Sequence, residues 1–356
     1  MLMSAADYRE SLRRYKPRVF VNGSAVDCVA DEPALAPGVN AVGLTYDFAL
    51  REELKPVMRA SSGVAGEVNR MMAIPSSSQD LLNKLEAVRL VCQHTGCAQR
   101  YLGGDAMAAI RMAAHRMDEE LHTGYRERVD AYLERVHAED LTLGVAMTDG
   151  KGDRSLRPHQ QPNPDAYVRI VERAARGIFV SGAKAIITGA PYMHELLVMP
   201  CRNMTEADAD FAVCCAVPVD AEGLSIVARP AGRPGEKSAL FSNRYGQSTG
   251  VCIFNQVFVP WERVFYAGEW EHSGFLTYQY ATHHRHTCIG ARAGFGDLLI
   301  GAGALMCEAN GFDPEQETHL REQMVELIKI TEGFYACGVA ASVYGAADPV
   351  NGTFVP

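Results

Sequence analysis

The chain has 356 residues, 47% of them hydrophobic and 22% charged, which is typical of a globular protein with several packed layers or domains. Its formal net charge of −9, without a long basic run, argues against nucleic acid as a partner. The N-terminal residues carry charges from Asp7 onward without a signal-peptide core, and no apolar run predicts a membrane span. We therefore expect a cytoplasmic protein.

The first 145 residues or so are predicted to be mainly helical. Ser4 followed by Asp7 indicates a capped helix start, and the leucine spacing over 76–96 predicts a second helix. Residues 104–141 contain strong helix formers with apolar stripes. Residues 16–46, punctuated by Pro and Gly, are predicted to be irregular.

The sequence pattern changes near residue 150. Short β-branched and aromatic runs over 165–267 predict an antiparallel β domain, either a sandwich or a barrel. Helical periodicity returns after about residue 273 and continues in a second segment, 315–345. The expected domains are an N-terminal helical domain, a middle β domain and a partial C-terminal helical domain, at 1–148, 149–270 and 271–356.

The ten cysteines are sparse for a chain of this length, and none has CxxC spacing. Cys214 and Cys215 are adjacent inside an apolar, β-like run. We expect reduced and mostly buried thiols, not a disulfide scaffold.

Two stretches in the first half carry candidate chemistry. In CQHTGCAQRYLGGDA, Cys97 and Tyr101 are four residues apart and Arg100 is beside them, which fits either an anion or phenolate site or a polar helix end. In AMTDGKGDRS, Thr148, Lys151 and two glycines offer donors to a cofactor, although a charged surface loop has the same composition.

The third stretch is ATHHRHTCIGARAGFGD, residues 281–297. His283, His284 and His286 lack the i,i+4 spacing of a helical zinc pair, and no HExxH motif is present. A metal needs three or four converging ligands, so we expect no metal site here. Spacing alone indicates only the polar start of a helix.

Together these stretches resemble a family that contains the flavin-dependent 4-hydroxyphenylacetate 3-hydroxylases and the 4-hydroxybutyryl-CoA dehydratases. The resemblance implies an α+β multidomain, acyl-CoA dehydrogenase-like fold with helical, antiparallel β and partial helical-bundle domains. The stretches that carry it are YRESLRRYKPRVFVNG (8–23), AMTDGKGDRSLRP (146–158), GIFVSGAKAIITGAPYMHELLVMP (177–200), FNQVFVPWERVF (254–265) and HHRHTCIGARAGFGDLLIGAGAL (283–305).

The resemblance implies bound FAD, or reduced FAD as a co-substrate. Threonine hydroxyls and backbone N–H groups would hold the isoalloxazine edge. The implied cofactor-binding residues are Thr148, Lys151, Asp153, Arg154, Thr188 and Gly189.

The dehydratase branch, which the motifs resemble more closely, implies a [4Fe–4S] cluster held by three cysteines and one histidine. Cys97 and His284 match two of these ligands, whereas Tyr101 and Ala291 replace the other two. Because cluster ligation needs thiolates, we expect no intact cluster. The branch's acid/base glutamate, tyrosine and lysine are also replaced, by Thr249, Cys288 and Arg292, so dehydration of an unactivated CoA ester is not expected.

The hydroxylase branch has an arginine and a tyrosine at the positions of Cys97 and Tyr101, and a histidine at Met147, so this chain matches neither branch in full. Members of the family also continue well over a hundred residues further. We expect a second polypeptide to supply those helices and to cover the apolar faces of 292–308 and 316–346, together with homologous subunits.

The expected function is a flavin-dependent oxidoreductase, in the first instance a monooxygenase supplied with reduced FAD by a separate flavin reductase. Arg100 and Tyr101 are expected to contact the substrate. The resemblance also implies that residues 281–297 start a helix packed against flavin, in which glycines 290, 294 and 296 permit close helix approach. His284 would be directed into the site, where it has the pKa range of an acid/base group. The alternatives are a cluster-free dehydratase or isomerase acting on an acyl thioester, and a non-catalytic subunit. The expected substrate pocket contains Cys97, Met147, Cys288 and Arg292.

Overall fold

The computed structural model describes residues 2–63, 66–150 and 152–356. Its helices lie mainly in the first and last parts of the chain, on either side of a strand-rich middle. They are α1 (Ala5–Leu12), α2 (Ala36–Leu50), α3 (Lys55–Met58), α4 (Ser78–Thr95), α5 (Tyr101–Leu121), α6 (Tyr125–Ala138), α7 (Leu240–Arg244), α8 (Ser273–Ala309) and α9 (Thr318–Tyr344).

The strands form two main sheets and two small hairpin-like pairs within the described residues. They are β1 (Arg18–Val21), β2 (Ser24–Val26), β3 (Arg59–Ser62), β4 (Gly66–Asn69), β5 (Leu143–Ala146), β6 (Arg169–Ala174), β7 (Gly177–Thr188), β8 (Glu195–Val198), β9 (Val213–Pro218), β10 (Leu224–Ala228), β11 (Thr249–Pro260), β12 (Val264–Ala267), β13 (Ala346–Ala347) and β14 (Phe354–Val355). The larger sheet has the order β2-β1-β10-β11-β7-β6, and the smaller sheet has the order β12-β9-β8-β5.

Within 165–267 every described strand pair is antiparallel, as expected, but the prediction missed two strands that join the sheets from outside this range. β1 pairs with β10 in parallel, and β5 pairs with β8 in parallel, so strands from the helical N-terminal part enter both sheets. Both incoming strands have four residues, which is too short for an alternating pattern to identify them. Their pairing partners, far away in sequence, supply the hydrogen bonds that define them.

The prediction that residues 16–46 are irregular is also wrong, because they contain β1, β2 and most of α2. Pro37 lies at the start of α2, where a missing N–H costs no helical hydrogen bond. Gly38 is required by packing, since a Cβ on it would lie 2.5 Å from the ring of Tyr192. The two residues that suggested a loop therefore belong to a buried helix start.

The smaller sheet lies between the larger sheet and the helices. Along β9, Cys214 and Ala216 contribute to the helix-side core, whereas Val213, Cys215 and Val217 contribute to the core between the sheets. This alternation is the two-residue period of a strand that is covered on both faces. It explains why two adjacent cysteines, Cys214 and Cys215, are both buried.

Helix α8 packs closely on α4 through glycines, as the sequence predicted. A Cβ on Gly290 would lie 2.5 Å from the carbonyl oxygen of Leu85, and one on Gly294 would lie 2.3 Å from that of Arg89. Gly296 similarly approaches the side chain of Thr331 on α9. These contacts fix the position of the first half of α8, which carries the histidines.

The second half of α8 and much of α9 expose apolar side chains. By length and composition, Trp270–Ala309 is apolar enough to cross a membrane, the one such segment among the described residues. The sequence predicted no membrane span, whereas this segment is one candidate by length and composition. Its first half nevertheless packs on α4 and α5 within the protein. The exposed apolar side chains include Phe295, Leu299, Leu305, Met306, Val325, Ile328, Ile330 and Phe334.

The division of the chain into three domains at 1–148, 149–270 and 271–356 stays a prediction.

Candidate functional site

A cleft separates helices α5 and α8 from the ends of β5 and β7. It contains two adjoining cavities of about 330 Å³ each, which share Leu102, Thr188 and His284. Helix residues line one wall, and strand and loop residues line the other. The cleft is therefore built where the helical part meets the sheets, a common location for ligand sites.

This cleft brings together most of the residues singled out in the sequence. The first cavity is lined by Cys97, Tyr101, Thr188, His284, Cys288 and Arg292. The second cavity is lined by Met147, Thr148, Thr188 and His284. Segments separated by nearly two hundred residues thus meet at one place.

Other predicted residues lie elsewhere. Arg100 is fully buried, where it pairs with the carboxylate of Asp140 and lies 3.8 Å from the ring centroid of Tyr46, and it lines neither cavity. Its side chain turns into the core because a buried carboxylate is there to neutralise it. Arg100 is thus not placed to contact a ligand in this cleft.

Three further predicted cofactor residues, Gly189, Asp153 and Arg154, do not line the cleft either. Gly189 has φ +68 and forms a turn in which its N–H donates to the carbonyl of Ser248 at 2.9 Å. Asp153 and Arg154 are exposed, and Lys151 lies outside the described residues. Their role in cofactor binding stays a prediction.

One face of α8 forms the helical wall of the cleft. Tyr280, His284, Cys288 and Arg292 recur at intervals of four residues, so they lie one above another along the helix. The His284 ring stacks between Tyr280 and Tyr101, with centroid distances of 5.3 and 5.9 Å. These nearly parallel rings hold the imidazole at the cleft.

Cys288 lies at the centre of this wall. Its Sγ is 3.5 Å from Nε2 of His284 and 3.3 Å from the hydroxyl oxygen of Tyr101. Although burial opposes ionisation, the hydrogen bond and charge of His284 lower the pKa of the Cys288 thiol below its usual range. The same contact and the charge of Asp105 raise the pKa of His284 against the opposing effect of burial.

The sequence interpretation missed Asp105, which is buried one helical turn after Tyr101 in α5. Its Oδ1 accepts hydrogen bonds from Lys84 at 2.7 Å and from Thr287 at 3.0 Å. Its Oδ2 has no hydrogen-bond partner and lies 3.9 Å from Nδ1 of His284. The available signal was its i,i+4 spacing from Tyr101. Tyr280, which has the same spacing from His284, was missed as well.

The opposite wall is built around an irregularity in β7. Gly250 pairs with Ile187 and Cys252 pairs with Lys184, so β7 has one extra residue between these two pairs. Ile186 lies in this bulge with φ +60, and its side chain is 72% exposed at the second cavity. A β-branched residue rarely adopts this backbone region, which marks the bulge as a candidate ligand contact.

The donor set does not fit a [4Fe–4S] cluster. Tyr101 and Ala291 line the first cavity where the family resemblance places two cluster cysteines, and alanine has no donor atom. The thiol of Cys97 contacts the carbonyl of Gly246 at 3.5 Å, and burial raises its pKa to about 11. Across the described ranges, no three His, Cys, Asp or Glu side chains are grouped to hold a metal ion.

Sequence comparisons match the whole chain to one family. The chain is 36% identical over 353 residues to 4-hydroxybutyryl-CoA dehydratase/vinylacetyl-CoA-Delta-isomerase of Clostridium aminobutyricum, covering 97% of this chain and 72% of that protein. It is 26% identical over 364 residues to the 4-hydroxyphenylacetate 3-monooxygenase oxygenase component of Thermus thermophilus, covering 99% and 74%.

Structural comparisons agree with this result. An oxygen-tolerant archaeal 4-hydroxybutyryl-CoA dehydratase from N. maritimus superposes with a TM-score of 0.94 at 35% identity, covering all of this chain and 71% of that one. An oxygenase component of 4-hydroxyphenylacetate 3-monooxygenase, complexed with FAD and 4-hydroxyphenylacetate, shares the fold with a TM-score of 0.85 at 24% identity, covering 99% and 74%.

The structural likeness confirms the predicted acyl-CoA dehydrogenase-like architecture. Because the relatives are enzymes, the prediction of an enzyme is confirmed as well. The N-terminal family model, 4-hydroxyphenylacetate 3-hydroxylase N terminal, matches residues 4–266. The corresponding C-terminal model matches residues 273–356. The chain therefore belongs to the 4-hydroxyphenylacetate 3-hydroxylase family of flavin-dependent enzymes.

Proposed function

We propose that this chain binds FAD in the cleft and acts there on an acyl thioester by proton transfer, as a dehydratase or isomerase without an iron–sulfur cluster. The observation that carries the proposal is the contact between three protonatable side chains, Tyr101, His284 and Cys288, at the centre of the cleft. The identity of 36% to a dehydratase and isomerase of CoA esters supports the substrate class.

The strand wall supports the flavin part of the proposal. Thr148 and Thr188 line the second cavity, and the exposed side chain of Ile186 supplies an apolar surface beside them. Hydroxyl groups beside an apolar surface suit a flat aromatic ring with a polar edge. When bound, the flavin would supply redox chemistry at this wall. The exposed Asp153 and Arg154, with Lys151, are proposed to reach its outer parts.

The substrate end of the cleft supports an anionic, thioester-like ligand. Arg292 lines the first cavity and Arg285 lines the second, and both are exposed at the surface. Exposed guanidinium groups attract and orient phosphate-bearing ligands such as a CoA ester. Along α8, Arg285 directly follows His284 and Arg292 lies about two helical turns further on.

The direct test is turnover of defined CoA esters by the FAD-loaded protein under anaerobic conditions. Vinylacetyl-CoA and 4-hydroxybutyryl-CoA are incubated separately, and products are identified by liquid chromatography and mass spectrometry. We expect conversion of vinylacetyl-CoA to its conjugated isomer without added iron, and the same rate in the Cys337→Ser variant, whose thiol is exposed on α9. No conversion of either ester would reject the acyl-thioester function.

A monooxygenase is the second candidate function. It is favoured by the match to an oxygenase component across 99% of this chain, and by the phenol of Tyr101 in the cavity. In that case a separate reductase would supply reduced FAD. Formation of a hydroxylated product from 4-hydroxyphenylacetate, with a flavin reductase, NADH and oxygen, would favour this function over proton transfer.

We also propose a partner for the exposed apolar face of α8 and α9. A second polypeptide or homologous subunits would bury side chains such as Ile330 and Phe334. The free cysteines agree with a cytoplasmic location for the assembly. Light scattering tests the proposal: Ile330→Lys should lower the mass of the assembly, and an unchanged mass would contradict it.

A further inference from the structure

Cys288 and His284 have a geometry that goes beyond lining a pocket. They are one turn apart on α8, so the helix itself holds Sγ and Nε2 at 3.5 Å. The ring of His284 is further fixed between the rings of Tyr101 and Tyr280. A thiol that touches an imidazole in a partly enclosed cavity is the arrangement that produces an activated thiolate.

Asp105 is a third group near the imidazole, whose Nδ1 also lies 3.8 Å from Sγ of Cys288. Its carboxylate is buried, and Oδ1 is occupied by Lys84 and Thr287. The unpartnered Oδ2 is directed at Nδ1 of His284, 3.9 Å away, from the adjacent helix α5. A buried acceptor atom without a partner is costly unless a nearby group can donate to it, as a protonated imidazole does.

We propose that Cys288 and His284 form a thiolate–imidazolium pair, positioned by Asp105, and that this pair carries out the proton transfer on the acyl thioester. Cys288 is the base, His284 is the acid, and Asp105 is a positioning residue. The proposal rests on the proposed function for its substrate, but the ion pair itself can be measured without any substrate.

For vinylacetyl-CoA the step balances within the pair. The thiolate of Cys288 takes a proton from the carbon next to the carbonyl, and the electron pair of that C–H bond moves into the thioester. The double bond then shifts toward the carbonyl, and the terminal carbon takes a proton from Nε2 of His284. Cys288 is left as a thiol and His284 as a neutral imidazole, and transfer of the thiol proton to Nε2 restores the pair.

The charged surroundings of the pair favour this protonation pattern. From α5, the carboxylate of Asp105 and the phenol of Tyr101 face the pair. Burial and the charge of the nearby Cys288 raise the pKa of Tyr101, so the phenol stays neutral and can donate to the sulfur. From α4, Lys84 is already paired with Asp105, and Cys92 is buried with a raised pKa. On α8 itself, Arg285, Arg292 and the distant Glu308 are exposed, and Asp297 is paired with Arg89. Burial lowers the pKa of His283 and of His286 to about 4, so both imidazoles stay neutral. The strand wall contributes threonine, glutamine and apolar side chains.

The first experiment measures the pair by alkylation. Iodoacetamide is added to the full chain, with and without FAD, at pH values from 5 to 9, and modification of Cys288 is quantified by peptide mass spectrometry against N-acetylcysteine in the same mixture. We expect Cys288 to reach half of its maximal rate at least one pH unit below N-acetylcysteine, which is a tenfold excess of thiolate at low pH. A profile that matches N-acetylcysteine would overturn the ion pair.

Variants then assign the cause. His284→Gln and Asp105→Asn should both move the Cys288 profile to higher pH, the first by more, because the first removes the positive charge and the second only its orientation. Cys97→Ser, which alters a thiol of the same cavity without a histidine contact, should leave the Cys288 profile in place. An unchanged profile in His284→Gln would overturn the pairing. The wild-type profile keeps the test decisive if a variant does not fold.

The second experiment measures the catalytic role with vinylacetyl-CoA. Cys288→Ser should lower isomerisation by about 10²–10⁴-fold, the usual effect of losing a general base, while FAD binding, followed by flavin fluorescence, remains. If wild type isomerises the ester and Cys288→Ser does so equally well, the inference fails and the proposed function stands. If wild type does not isomerise it, the catalytic role fails together with the proposed function, and alkylation still decides the ion pair.

Discussion

The buried pair of Arg100 and Asp140 gives the sharpest test of how this fold is held together. Arg100 is fully buried and Asp140 is 3% exposed. Only Nη2 of Arg100 bonds to Asp140, whereas Nε and Nη1 have no partner and the guanidinium lies over the ring of Tyr46. Among the described residues, Asp140 is therefore the one carboxylate that neutralises the buried guanidinium of Arg100.

Asp140→Asn is the appropriate perturbation because it keeps the shape of the side chain while removing its charge and one of its two acceptor oxygens. Asp140 has φ +51, a region that asparagine tolerates well, so the backbone is not strained by the change. The amide oxygen can still accept from the N–H of Met3, as Oδ2 does now at 2.9 Å, but the NH2 group then faces Nη2 of Arg100, which loses its acceptor as well as its counter-charge. What remains is an arginine buried without its anion, and breaking a buried pair in this way costs about 3–5 kcal/mol.

Urea unfolding at pH 7, followed by circular dichroism, measures this cost. The double variant Arg100→Met with Asp140→Asn removes both charges and should recover at least half of the loss, because the orphaned charge is the main penalty. A loss below about 1 kcal/mol for Asp140→Asn would refute the reasoning, since Arg100 would then be solvated or neutral. Equal losses in the single and double variants would show that shape, not charge, is decisive.

Three further predictions concern packing, backbone strain and pH. Gly294→Ala should destabilise the protein by about 1–3 kcal/mol because its Cβ would overlap the Arg89 carbonyl. Gly301 on the same helix has open space around it, so Gly301→Ala should stabilise the protein by up to about 1 kcal/mol. Equal shifts in the melting temperatures of the two variants would contradict this. Ile186→Gly should relieve about 1–3 kcal/mol of backbone strain, which exceeds the cost of about 0.5–1 kcal/mol from the greater entropy of the unfolded chain. We therefore expect a higher melting temperature together with weaker FAD binding in a titration. A lower melting temperature would count against a strained bulge. Burial lowers the pKa of His194 to about 3, so its contribution to stability is present above pH 6.5 and is lost as the pH falls toward 3, at up to about 1.4 kcal/mol per pH unit. Between pH 7 and pH 5, the urea midpoint of His194→Gln should therefore fall less steeply than that of the wild type. Parallel slopes of the two proteins would disprove the assignment.

The sequence by itself determined the features that depend on neighbours along the chain. The cap at Ser4 is confirmed, with Asp7 N–H donating to Ser4 Oγ and Ser4 N–H donating to the Asp7 carboxylate. The return of helix at Ser273 and the close-packing glycines of α8 are confirmed as well. These features are local, because caps, periodicity and glycine spacing act over one or two helical turns.

The tertiary structure alone decided what depends on partners far away in sequence. The four residues of β1 became a strand by pairing with β10, about two hundred residues later. Arg100 turned toward Asp140 and away from the cleft, which its position beside Tyr101 did not indicate. Asp105 came within reach of His284 because α5 and α8 pack together. Burial and long-range contacts set the direction of a charged side chain, and neither is encoded in the spacing of its neighbours.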